Sequence, residues 1–270
     1  MASLVYLFLA ILATASAAPG SRIQGGEPIT INDFPYIVAF TYNYPNAGIT
    51  IQRCVGSLIS SYHVLNSAFC YNGAVLDNML LRAGSTNSLA GGTVVMIDKF
   101  VLHPDYTSTP RTNDLAVTFL ANPLGITDTI GVLYLPHANY EIADGSSLRV
   151  VGWGFDAEGS QSDTLLSIYM NKVNLGECQA IFDDEENINI SDSKYIICVR
   201  APGKGTCNGD AGAPMVSNNV IVGHSSVFKD CGDDTYPDIF TRIDRYSDWI
   251  LAVSIAGRSG KGYMAAPVKL

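Results

Sequence analysis

Short apolar runs separated by glycine-rich turns succeed one another along this chain, and no long helical pattern interrupts them. That feature constrains the fold most. A chain of many short strands buries its apolar faces by closing into barrels. Phe34–Phe40 reads as the first strand. Cys54–Ser60 and Tyr62–Asn66 read as two more, joined by a turn, and Gly92–Leu102 and Ser147–Val151 follow. Near the end, Ile243, Tyr246, Trp249, Ile250 and Val253 recur at helical spacing and suit an amphipathic terminal helix. The 270 residues fit one large all-β domain or two packed barrels, and 47% hydrophobic residues suffice for a full core.

Met1–Ala18 reads as a secretory leader. Leu4–Thr14 is apolar but too short to span a membrane, and Ala15-Ser16-Ala17-Ala18 is a small-residue cleavage site. Secretion places the six cysteines in an oxidising compartment. Their spacing alone does not choose among fifteen pairings. A zinc site is a poor rival, because the chain has no Cys-x-x-Cys pair and no paired histidines. A net charge of -9 argues against a nucleic-acid partner and suits solubility in a secreted fluid.

The most specific stretch is Gly203–Met215, reading GKGTCNGDAGAPM. It resembles the nucleophile loop of the trypsin/chymotrypsin family of serine proteases, Cys-x-Gly-Asp-Ser-Gly-Gly-Pro. Cys207, Gly209, Asp210, Gly212 and Pro214 all match, and Ala211 stands at the serine. Alanine has no oxygen with which to attack a carbonyl. Asn66-Ser67-Ala68-Phe69-Cys70 resembles Thr-Ala-Ala-His-Cys, with Phe69 at the general base; its ring accepts no proton. Thr112–Val117 resembles the segment carrying the third triad member, here Asp114. Without an imidazole to orient, Asp114 reads better as a structural aspartate. Val151-Gly152-Trp153-Gly154 is a further landmark, and the resemblance runs from about Ile23 to Ser254 with an arthropod-like character.

The resemblance implies an all-β fold of two packed six-stranded antiparallel Greek-key barrels, trypsin-like, with a short C-terminal helix. It implies the disulfides Cys54–Cys70, Cys178–Cys198 and Cys207–Cys231. It divides the chain into a leader (1–18), a short activation peptide (19–22), a protease-like domain (23–256, barrel boundary near 125–145) and a loose tail (257–270). Arg22–Ile23 resembles the activation junction. In the family, the freed isoleucine ammonium pairs with the aspartate before the nucleophile, here Asp210. The amides of Gly209 and Ala211 correspond to the oxyanion hole. Gly205, Ser226, Phe228 and Asp238 correspond to the specificity pocket. Gly205 replaces the aspartate of trypsins, Phe228 stands at the pocket mouth, and Asp238 supplies either a displaced negative charge or a pocket filler.

Of the histidines His63, His103, His137 and His224, only His224 falls near the cleft, where a structural role is the better reading. Asp183–Glu186 reads as a solvated acidic loop. Asn189-Ile190-Ser191 is a glycosylation sequon. Leu81–Gly92 lacks the carboxylates of a calcium loop, so no metal and no cofactor is expected. These features describe a secreted, monomeric, inactive serine protease homologue. Such a protein binds another protease, a protease inhibitor or a protein substrate, as cofactor or decoy. A hydrolase with residual activity and a secreted storage or structural protein are the alternatives.

Overall fold

The computed structural model describes residues 25–155, 159–183, 185, 188, 190 and 193–257. The first barrel is built from β2 (Ile37–Tyr44), β3 (Ile49–Ser60), β4 (His63–Asn66), β5 (Met79–Ala83), β6 (Thr93–Leu102) and β9 (Ala116–Leu120), after the short strand β1 (Glu27–Pro28). These strands close in the order β2-β3-β4-β9-β6-β5, every pair antiparallel. A small hairpin, β7 (Thr107–Ser108) and β8 (Arg111–Thr112), projects from the connection between β6 and β9.

The second barrel takes β10 (Ser147–Gly152), β11 (Leu166–Lys172), β12 (Ile196–Arg200), β13 (Pro214–Ser217), β14 (Val220–Val227) and β15 (Asp238–Arg242). They pair antiparallel in the order β11-β10-β13-β14-β15-β12, and β11 pairs again with β12 to close the ring. β1 adds to the outer edge of β11.

The apolar runs of the first barrel are continuous because both strand faces are covered. Along β2, Val38 and Phe40 point into the first barrel. Their neighbours Ile37 and Ala39 join the core shared with the second barrel. Val64 and Leu65 of β4, and Ala116 and Val117 of β9, divide in the same way. The shared core continues through Val150, Trp153, Met215 and Phe240, so the two barrels pack as one body.

The three disulfides form as the resemblance implied, with Cα separations of 6.1, 6.3 and 4.8 Å. Helix α2 (Ser247–Ala256) starts four residues later than the spacing from Ile243 suggests, because Ile243–Arg245 forms a single 3₁₀ turn first. Helix α1 (Leu175–Phe182) was not expected from the pattern. Asn174 caps it, its side-chain oxygen accepting from Gly176 N at 2.9 Å, and Cys178 ties it to β12. Among the described residues, no helix is long and apolar enough to cross a membrane.

Candidate functional site

The site lies where the two barrels meet. The first barrel supplies Phe69, on the 3₁₀ turn Ala68–Tyr71, and Asp114, just before β9. The second supplies the loop 207–213 and the end of β14. A backbone hydrogen bond joins the halves: Val55 N donates to Ala211 O at 2.9 Å. Within the second barrel, Gly212 N donates to Ser225 O at 2.8 Å. The chains approach so closely that a Cβ on Gly212 would stand 2.2 Å from Val55 O, and Gly212 also holds φ at +83°. Only glycine satisfies both demands.

Asp114 is buried at 2% exposure. Its carboxylate accepts from three groups. Ser67 Oγ lies 2.8 and 2.7 Å from its two oxygens, Phe69 N donates to Oδ1 at 2.8 Å, and Ser226 Oγ donates to Oδ2 at 2.7 Å. Its main-chain oxygen is within 2.7 Å of His224 Nε2 and accepts from Thr241 Oγ1 at 3.1 Å. A buried carboxylate is stable when hydrogen bonds replace its water, and these do so without an imidazole. Ser67 stands where the family motif carries alanine; its hydroxyl was legible in the sequence but carried no signal until Asp114 was placed beside it.

The aromatic ring of Phe69 is half-buried, and Arg111 of β8 stacks its guanidinium over that ring, 3.7 Å from the centroid. Desolvated cation–π contacts of this kind contribute about 1–2 kcal/mol. One Arg111 N–H also donates to the main-chain oxygen of Ser226. Its Nε is buried with no acceptor. The role of Arg111 was missed from the sequence, because nothing local to residue 111 announces a contact with residues 69 and 226.

A cleft between the barrels is lined by Phe69, Arg111 and Arg53 on one side and by Asn208, Gly209, Ala211, Ser226 and Phe228 on the other. The methyl group of Ala211 packs against the first-barrel core. Among the described residues, the amides of Gly209 and Ala211 have no acceptor. Gly209 is held from behind: Gln52 Nε2 donates to its oxygen at 2.7 Å, and Gln161 Nε2 donates to Gln52 Oε1 at 2.9 Å. Gly205 and Asp238 do not line this cleft. Both are buried, and Asp238 Oδ2 accepts from Thr206 N at 2.6 Å and Thr206 Oγ1 at 2.8 Å.

Asp210 is fully buried beneath the loop. Among the described residues it accepts from Gly154 N at 2.9 Å and Cys207 N at 3.1 Å, and no described cation pairs with it. A Cβ on Gly154 would fall 2.0 Å from its carboxylate, so this glycine makes the room. Burial pushes both Asp210 and Asp238 up to about 7. The two amide hydrogen bonds resist that rise in Asp210, as Thr206 does in Asp238.

His224 is buried on β14, and burial holds its imidazole below the ordinary range against the pull of Asp114. It does not line the cleft. His63 Nδ1 lies 2.6 Å from Ser60 Oγ, His103 packs on Tyr246 and Trp249, and His137 lies beside Tyr140. Glu185 of the acidic run pairs with Lys229. Arg22, Ile23 and Asn189 lie outside the described residues. Among the described residues, no three His, Cys, Asp or Glu side chains are grouped to hold a metal.

The trypsin family profile, described as "Trypsin", matches residues 23–250. Alkaline trypsin B of Manduca sexta is 29% identical over 254 residues, covering 90% of this chain and 98% of that protein. The trypsin of Phaedon cochleariae is 32% identical, covering 86% and 88%. A solved structure, the scabies mite inactivated protease paralogue S-D1, superposes with a TM-score of 0.75 at 22% identity, over 90% of this chain and all of that one. At that identity it supports the two-barrel fold. With insect trypsins similar over nearly their whole length and the family profile spanning both barrels, this chain belongs to the trypsin family of serine proteases.

Proposed function

We propose that this trypsin-family chain is a secreted, catalytically inactive homologue that works by binding. One observation carries the reading. At the junction of the barrels the buried carboxylate of Asp114 is already hydrogen-bonded by Ser67, Phe69 N and Ser226, and the positions of base and nucleophile hold a phenyl ring and a methyl group. Loss of either base or nucleophile from a serine triad costs on the order of 10⁶ in kcat, and the two act as a unit. His224 offers no rescue, since it points to a main-chain oxygen behind the cleft.

Arg111 supports the reading further. A peptide laid along the edge of β14 needs the Ser226 oxygen as an acceptor, and Arg111 already uses it. The named relatives are trypsins, so a hydrolase with residual activity is the second reading. The scabies mite neighbour, titled an inactivated protease paralogue, is a precedent within the same fold.

Secretion is supported by the leader at Met1–Ala18 and by three disulfides, which persist in oxidising compartments. The partner is a protease, a protease inhibitor or a protein substrate, and cleavage at Arg22–Ile23 regulates the surface by giving Asp210 a cation. Pull-down of macromolecular serine protease inhibitors by cleaved and uncleaved protein tests the role. Capture without hydrolysis supports it. Equal behaviour of both forms toward every partner removes the regulatory part. Capture of none favours a storage or structural role.

A further inference from the structure

The cleft carries a charge opposite to that of the chain. The protein has a net charge of -9, yet the two ionisable side chains lining the cleft are Arg53 and Arg111. Among the described residues, neither pairs with a carboxylate. Arg53 donates to Asn72 O at 2.6 Å and stands 5.4 Å over the Tyr42 ring. Arg111 donates to Ser226 O and stacks on Phe69, and its buried Nε has no acceptor among the described residues. Two further donors in the same cleft, the amides of Gly209 and Ala211, have no acceptor among the described residues. The buried acids nearby, Asp114 and Asp238, lie behind the wall of the cleft and do not line it.

A guanidinium without a carboxylate partner, beside free backbone amides, is a carboxylate receptor, because the planar fork matches a carboxylate and the amides add oriented partial charge. We infer that this cleft binds the acidic C-terminal end of a peptide or protein, a chain terminus whose last side chain is Glu or Asp. A terminus fits better than an internal segment. It brings two carboxylates to two arginines and two amides, and it does not depend on the Ser226 oxygen that Arg111 occupies. The inference rests on the binding-protein reading and names the ligand class of that same cleft.

The test uses the full secreted protein and dye-labelled Ala-Ala-Ala-Glu with a free C-terminal carboxylate, read by fluorescence anisotropy at low salt. The comparison peptides are its C-terminal amide, the Gln-ended acid and the Arg-ended acid. The Glu-ended acid should bind tightest, and the amide and Gln forms should each lose about tenfold, the scale of one charge-assisted contact. Arg111→Gln should lose about tenfold for the Glu-ended acid. Arg111→Lys, which keeps the charge and not the fork, should fall between. Arg245→Gln, whose guanidinium is paired with Asp244 elsewhere, should bind as wild type. Thermal melting of each variant separates lost binding from lost fold. Equal or tighter binding of the Arg-ended peptide overturns the inference. So does an unchanged affinity in folded Arg111→Gln, or no binding of the Glu-ended acid at millimolar peptide. Turnover of a separate peptide-amide substrate would overturn the inactive reading alone, whereas an inert protein that ignores the Glu-ended acid overturns this inference alone.

Discussion

Replacing Asp238 by asparagine should change how stability depends on pH. Asp238 is 3% exposed, and burial is the main cause that raises its carboxyl from 3.8 to about 7; Asp233 adds to the rise and Thr206 opposes it. The folded chain therefore holds a proton that the unfolded chain has released. The stabilisation is fully present below pH 3.8 and is lost as pH rises through about 7. Each pH unit well inside that window weakens the fold by about 1.4 kcal/mol and less at its two ends, so this one carboxyl removes about 3 kcal/mol between pH 4 and 7. Asparagine keeps an oxygen for Thr206 and carries no charge. Urea denaturation of the uncleaved protein at half-unit steps from pH 4 to 7.5, followed through the buried Trp153, measures the difference. The variant should gain on wild type by about 3–4 kcal/mol across the range, whatever fixed cost its amide adds. Parallel curves for the two proteins would refute the reasoning.

Asp210 makes the same argument for activation. Its carboxyl also stands at about 7 with no described cation beside it, so cleavage at Arg22–Ile23 should flatten the loss of stability between pH 4 and 7 if the new ammonium reaches it. The same denaturation series on cleaved protein checks this, and an unchanged slope would mean that no such pair forms. Gly154→Ala should destabilise by about 1–3 kcal/mol or more, because its Cβ would meet the Asp210 carboxylate at 2.0 Å; a neutral result in thermal melting would contradict the packing. Ser67→Ala removes a donor to buried Asp114 and should cost about 1.5–3 kcal/mol in urea at pH 7. A loss below about 0.5 kcal/mol would mean that water replaces the hydroxyl without penalty.

Much of the fold was legible because period and punctuation are local. The runs at Cys54–Ser60 and Gly92–Leu102 fall within or against the observed strands β3 and β6, whereas the disulfide pairing came from the family resemblance and not from spacing. The first strand shifted, from Phe34–Phe40 to Ile37–Tyr44, because Asn43 and Tyr44 continue the ladder with β3 despite their polarity. Helix α1 escaped notice because it is short and its stability is tertiary; its one sequence signal was Asn174 with Glu177 three residues later. The candidate site was legible as a set of positions and not as a set of contacts. Phe69 and Ala211 announce missing chemistry by their side chains alone. The stacking of Arg111 on Phe69, the use of Ser67 on Asp114 and the closure of Asp238 by Thr206 all join residues distant in sequence, and only barrel closure brings them together.

The central claim is tested most directly by turnover. The unmodified protein, cleaved at Arg22–Ile23, is incubated at high concentration with a panel of peptide-amide substrates beside a Phe69→His/Ala211→Ser/Arg111→Ala variant. The account predicts no turnover from the unmodified protein and measurable turnover from the variant, in which base, nucleophile and the Ser226 oxygen are all restored. Turnover by the unmodified protein that survives purification to homogeneity and disappears on mutation of its own cleft would contradict it.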